Sequence, residues 1–163
     1  MASAKVIAVL KKLVKSEVSA MAQYRLHAQF FRNLGYFNLK HALHELFYCE
    51  NGHSKELMNH ILFLGGTVDP ADLVADLPKM GSDVSTILAA DFDQEKQAVA
   101  DYNAAIKVVQ TEGDAGTEKL LFHILHEEEK HQFWAQRQVA QIAELGKSNY
   151  LTTQMKERKN PFR

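Results

Sequence analysis

The sequence predicts an all-α fold, a four-helix bundle with one long crossover and a short C-terminal fifth helix. Three observations carry this. Apolar residues recur at threes and fours along most of the chain, with no strand-like alternation of useful length. The prolines, Pro70, Pro78 and Pro161, leave the stretches before residue 64 and from 83 to 158 free to be helical. The connections between apolar stretches run short, long, short, which makes two antiparallel pairs joined by a link able to cross the bundle's length.

Val6, Ile7, Leu10, Leu13, Val14, Val18 and Met21 mark a first amphipathic helix from Ser3 to about Leu34, ended by Gly35. Leu39, Leu43, Leu46, Phe47, Glu50, His53, Leu57, Ile61 and Leu64 trace a second, stopped by Gly65-Gly66. Thr67 to Ser82 holds both internal prolines and reads as the long connection. Asp83 caps a third helix through Ile87, Phe92, Glu95, Val99, Tyr102 and Ile106 to about Thr111. A fourth, capped by Asp114 or Thr117, runs through Leu121, Ile124, Glu128, His131, Ala135 and Ile142 to Gly146. Ser148 to about Glu157 forms the fifth, before a loose tail at 159–163.

Composition permits such a bundle and excludes several functions. The 163 residues make one domain, expected over 1–158, with 46% hydrophobic and 24% charged residues. A formal net charge of −1 leaves no basic footprint for nucleic acid or an anionic membrane. Lys5, Lys11, Lys12 and Lys15 break up the N-terminus, so no signal peptide is expected, and no uncharged run is long enough to span a bilayer. The single cysteine, Cys49, forms no internal disulfide and suits a reducing compartment; a cytoplasmic location is expected.

The chemistry lies in a repeat. Glu128 and His131 form a Glu-x-x-His pair, and Glu50 and His53 form another. Residues three apart on a helix lie about 60° from one another and one turn up, so a carboxylate and an imidazole reach the same ion. Glu17 precedes Glu50 by 33 residues (50 − 17), and Glu95 precedes Glu128 by 33 (128 − 95). All three members repeat at an offset of 78: 17 and 95, 50 and 128, 53 and 131. Tyr24 and Tyr102 follow the same offset, each seven residues after its glutamate and on its face. An accidental Glu-x-x-His on a solvated acidic face would not repeat in register with an upstream glutamate. One glutamate from each of two helices and a Glu-x-x-His from each of two others is the di-iron carboxylate pattern of ferritin-like bundles. Four carboxylates buried together need counter-charge, and two divalent cations supply it. Mixed oxygen and imidazole ligands suit Fe(II), Mn(II) or Zn(II) better than Mg(II) or Ca(II). Glu50 and Glu128 are placed to bridge, with His53 and His131 each completing one metal's shell.

From Lys5 to about Glu157 the chain resembles a bacterioferritin. Glu17, Gln23-Tyr24, His27-Ala28, Glu50, His53 and Ile61-Leu62-Phe63-Leu64 match the family's first half. Ile124-Leu125, Glu127-Glu128, His131, Trp134, Leu145-Gly146 and Asn149-Tyr150-Leu151 match its second. The resemblance implies a hollow shell of 24 subunits built from antiparallel dimers, with fifth helices at fourfold axes. It implies ferroxidase activity, in which O2 or H2O2 oxidises Fe(II) and ferric mineral collects in the cavity. Glu17, Glu50, His53, Glu95, Glu128 and His131 are then the metal ligands, and Tyr24 a hydrogen-bond or one-electron donor beside them.

The chain also departs from that family. Where the resemblance expects a haem-ligating methionine after the second helix's glutamate stands Asn51, and Ala22 and Arg25 replace pocket-lining side chains. Haem is therefore expected to be weak or absent, unless Met21 substitutes or a second, haem-binding subunit joins the shell. Glu45 and Cys49 stand where the family's best-known pattern has His and Asp. Tyr102 stands where the family usually has an aliphatic residue, and is either a second tyrosine at the site or ordinary packing. Cys49 is expected in the core or site wall, with a redox role beside Glu50 as the alternative. His41, His44, His60, His123 and His126 are expected at the surface or satisfied in the core, with His123 and His126 as an accessory iron pair in the alternative. Trp134 is expected in core or dimer packing.

Within that frame, iron storage competes with a non-storing di-iron oxidase or peroxidase resembling rubrerythrins. Asn149-Tyr150-Leu151 and the lack of a Cys-x-x-Cys module favour storage. A DNA-protecting mini-ferritin is disfavoured, since the ligands lie within one bundle.

Overall fold

Helix α1 spans Ala4–Asn33, α2 Phe37–Phe63, α3 Val84–Glu112, α4 Ala115–Leu145 and α5 Lys147–Gln154, in a computed structural model that describes residues 3–155. There is no strand among the described residues, and no helix in them is long and apolar enough to cross a membrane.

The ends follow local chemistry. Ser3 lies outside α1 as its cap, its hydroxyl accepting from the Lys5 N–H. Asp83 caps α3 by accepting from the Thr86 N–H at 2.9 Å. Of the two candidates for α4, Asp114 is the cap, accepting from the Thr117 N–H at 3.0 Å. α3 continues one residue past the expected Thr111, to Glu112, and Gly113 stops it at φ 72, where a side chain would be strained. α5 begins at Lys147 and ends at Gln154, with Met155 as its cap, rather than spanning Ser148 to Glu157. Glu157 and the expected tail lie outside the described residues.

α1 packs mainly on α2, and α3 on α4. α1 and α3 run antiparallel: Lys5 pairs with Glu112 at 2.8 Å at one end, and His27 with Asp91 at 2.8 Å near the other. α1 therefore runs up, α2 and α3 down, and α4 up. The crossover climbs beside α1 and is held at every fourth residue of that helix. Lys11 reaches Asp69 and Asp72 at 2.5 and 3.1 Å, and Lys15 reaches Asp76 at 2.9 Å. Ser19 Oγ accepts from the Asp76 N–H at 2.9 Å, and Gln23 Oε1 from the Lys79 N–H at 3.2 Å. His27 Nε2 meets the Lys79 carbonyl at 3.0 Å. Residues four apart share a helix face, so these five form one stripe for the incoming chain. Gly81 then lets the chain turn into α3: a Cβ there would sit 2.5 Å from the Ile87 backbone nitrogen.

The core is divided. A lower apolar cluster holds Val6, Leu10, Leu13, Val14, Leu57, Ile61, Tyr102, Ile106, Leu121 and Leu125. An upper one holds Tyr24, Phe31, Leu39, Leu43, Val84, Ile87, Leu88 and Tyr150. α5 closes the upper end, its buried Tyr150 donating to Gln138 Oε1 at 2.9 Å. On each long helix, the glutamates and histidines of the repeat fall between the two clusters, and its two tyrosines belong one to each cluster.

Candidate metal centre

Between the apolar clusters, all four helices turn carboxylates and imidazoles inward. Glu17 comes from α1, Glu50 and His53 from α2, Glu95 from α3, and Glu128 and His131 from α4. Each of the four glutamates is at most 2% exposed; His53 is 3% and His131 8%. Helical spacing places each pair on one face, and the packing of four such faces brings the six together.

They form two overlapping groups. Glu17, Glu50, His53 and Glu128 each offer an atom within 4.8 Å of the others, as do Glu50, Glu95, Glu128 and His131. Glu50 and Glu128 belong to both. Both imidazoles turn Nδ1 inward: His53 Nδ1 lies 2.9 Å from Glu50 Oε2 and 2.8 Å from Glu128 Oε1. His131 Nδ1 lies 3.0 Å from Glu50 Oε1 and 3.8 Å from Glu128 Oε2. The two rings stack with centroids 5.9 Å apart.

Hydrogen bonding accounts for only part of this proximity, as between His53 Nδ1 and Glu50 Oε2 at 2.9 Å. Glu50 Oε1, Glu128 Oε1 and His131 Nδ1 are buried without a hydrogen-bond partner despite these short separations. Atoms that crowd together without aligning on one another are arranged around a shared point, and a buried donor set left unsatisfied is costly unless something else binds it.

The electrostatics agree. Burial drives the carboxyls of Glu17 and Glu95 well above the ordinary glutamate range, and neighbouring carboxylates, Glu50 and Glu128 for Glu17 and Glu128 for Glu95, add to it. Burial would raise Glu50 too, but His131 and His53 outweigh it and bring it down to about 2. Burial likewise opposes the charged imidazoles, yet Glu128 and Glu50 lift His53 to about 12 and His131 to about 11. Without an ion, the cluster balances its charge with protons.

Both tyrosines of the repeat reach the cluster crosswise. Tyr24 on α1 donates to Glu95 on α3, and Tyr102 on α3 donates to Glu17 on α1. Tyr102 thus combines the two alternatives, packing in the lower apolar cluster and touching Glu17. Burial, followed by the charge of Glu17, keeps its hydroxyl protonated well above the ordinary phenol range.

A model of the ferritin family, described as a ferritin-like domain, matches residues 7–145. A bacterial ferritin of Synechocystis sp. is 32% identical over 151 residues, covering 92% of this chain and 96% of that relative. The chain is a bacterioferritin-type member of the ferritin-like family. A bacterial ferritin of Neisseria meningitidis is 30% identical, with the same coverage. A bacterioferritin of Brucella melitensis is 29% identical, covering 90% of this chain and 89% of the relative. The resemblance read from the motifs stands, and the ferritin-like bundle expected from them is the fold observed.

The remaining singled-out residues fall outside the cluster. Cys49 is exposed rather than in the core or wall, because one helical step turns it about 100° from buried Glu50. Glu45, His123 and His126 are exposed, and His126 Nδ1 lies 3.9 Å from Glu129. His60 is half-buried and bonded to Thr117 Oγ1 at 2.7 Å. Trp134 packs on the upper cluster. Met21 lines an open outer groove with Val18, Ala22, Arg25, Leu26 and Phe47. Asn51 is half-buried, and its carbonyl accepts from Ser54 Oγ.

Two features escaped the sequence reading. Glu127 Oε2 lies 2.8 Å from His53 Nε2, on the outer side of that ring. Its signal was present, since Glu127 sits four residues before His131 and so shares its face. The other is Asp91, buried against His27 and Gln23. It stands outside the repeat: the position 78 residues earlier is Leu13 (91 − 78).

Proposed function

We propose that this protein stores and detoxifies iron as a ferroxidase. Glu17, Glu50, His53, Glu95, Glu128 and His131 bind Fe(II) as substrate, two ions per subunit. The unsatisfied, mutually close donor atoms of Glu50, Glu128 and His131 carry this reading. The donor set fits: four carboxylates balance two divalent ions, and oxygen with imidazole suits Fe(II).

Within the reading, Glu50 and Glu128 serve both ions, and each histidine presents Nδ1 to one. Tyr24 and Tyr102 hold one oxygen of Glu95 and Glu17, which orients the other toward the centre. Protons now on the histidines and on Glu17 and Glu95 leave as iron enters. Each Fe(II) gives up one electron; a pair of them reduces O2 with two protons to H2O2, and a further pair reduces H2O2 with two protons to water. The ferric product moves on into the cavity of a homo-oligomeric cage, as family membership supports, with 24 subunits the expected number. Asn51 offers an amide where a thioether would hold haem, so we infer that haem binds weakly or not at all in a shell of this chain alone.

The test is to titrate the purified apoprotein with Fe(II) in air and count iron retained per subunit after desalting. Retention of many tens, with broad ferric-oxo absorbance, is expected. Saturation near two per subunit would sink storage and leave a di-iron oxidase.

A further inference from the structure

His53 and His131 hold matching places in the repeat, but the outer sides of their rings differ. With Nδ1 turned to Glu50 and Glu128, His53 carries its other nitrogen outward, 2.8 Å from Glu127 Oε2. Once Nδ1 takes an ion, the ring's proton sits on Nε2 and donates to that carboxylate. A carboxylate behind a ligating imidazole fixes the tautomer and ring orientation and raises the basicity of the ligating nitrogen.

The other half lacks this arrangement. Glu127 stands four residues before His131, and the matching residue, four before His53, is Cys49 (127 − 78). Cys49 is exposed. Among the described residues, His131 meets carboxylates through Nδ1 alone, on Glu50 and Glu128, and none pairs with Nε2. Its side chain is also more open, 10% exposed against 3% for His53.

We propose that Glu127 is a positioning residue for His53 with no counterpart at His131, so that the two ion positions are unequal. The position formed by Glu17, Glu50, Glu128 and His53 binds its ion more tightly; that of Glu50, Glu95, Glu128 and His131 releases its ion more readily. The inference rests on the di-metal reading above.

Titration of the full-chain apoprotein with Co(II) tests it, followed by calorimetry and by visible absorption, which reports coordination rather than turnover. Two Co(II) per subunit are expected in two separate steps. Glu127→Ala should weaken the tighter step about 10- to 100-fold and leave the other within about 2-fold. Glu127→Gln, which still accepts a hydrogen bond, should restore part of the loss. Cys49→Glu, supplying the missing carboxylate, should tighten the weaker step and bring the two together. Two equal steps in the wild type, or a Glu127→Ala variant that changes neither step or both alike, would overturn this assignment alone. Uptake of fewer than two Co(II) would overturn the di-metal reading and this inference with it.

Discussion

Two buried polar clusters lie between α1 and its partners, and they are finished in different ways. Near the top of the bundle, Gln23, His27 and Asp91 are at most 2% exposed, yet the protein itself supplies most of their partners. Asp91 Oδ1 meets His27 Nδ1 at 2.8 Å and accepts from Gln23 Nε2 at 3.0 Å, while Lys79 engages both α1 residues from the crossover. Only Asp91 Oδ2 is left over, and burial pushes that carboxyl up against the opposing pull of His27. In the metal centre, four carboxylates and two imidazoles face one another with three atoms unsatisfied. The first cluster is a clamp that fixes the crossover. The second is a donor set that leaves its completion to a ligand. Burial alone does not distinguish them; the hydrogen-bond accounting does.

The largest expected effect breaks the centre and spares the clamp. Glu50→Ala removes a carboxylate common to both ligand groups. It should cut Fe(II) oxidation in air by more than about 100-fold, beyond the 10- to 100-fold typical of an outer-shell change, as read by stopped-flow absorbance. The converse comes next. Asp91→Ala leaves His27 without its buried partner and should cost about 1–3 kcal/mol in urea unfolding. Metal uptake in the surviving folded protein should be unchanged. A loss of uptake there would mean that the two clusters are not separable.

Acidity sharpens the contrast. Glu17 and Glu95 bind protons more tightly when folded, so apoprotein stability falls as pH rises above the ordinary glutamate value of 4.5. The contributions of His53 and His131 are complete below 6.5 and are lost as pH climbs toward about 12 and 11. Glu50 acts in the opposite sense, its contribution disappearing as pH falls from 4.5 to about 2. The apoprotein should therefore melt lower at pH 9 than at pH 6. Saturating Zn(II), which binds the deprotonated donors, should remove that drop and release at least about one proton per ion at pH 7. A flat apoprotein profile would contradict the proton-balanced centre.

The smallest effect concerns the tyrosines. Tyr102→Phe removes one hydrogen bond to Glu17 and should change stability by only about 0.5–1.5 kcal/mol. Comparing its Fe(II) oxidation rate with that of Tyr24→Phe tests whether the crosswise pair are equals. A slowing confined to Tyr24→Phe would make Tyr102 a packing and orienting group only.

The helices, the crossover and the six inward-facing residues of the centre were legible in the amino-acid order alone. Those are matters of period and offset: a helix repeats every 3.6 residues, so Glu50 with His53, and Glu128 with His131, had to share faces wherever the helices went. The 78-residue repeat gave Tyr102 the same place relative to Glu95 that Tyr24 has relative to Glu17 but did not name its partner. Tertiary structure decided which helices met and at what height. That set Tyr102 on Glu17, Glu127 behind His53, and the stripe from Lys11 to His27 under the crossover. Asp91 became legible only then, because a buried carboxylate outside the repeat has no periodic signal. Its role comes from residues 64 and 68 positions away, Asp91 minus His27 and Gln23, which only the packing of α3 against α1 brings within bonding distance.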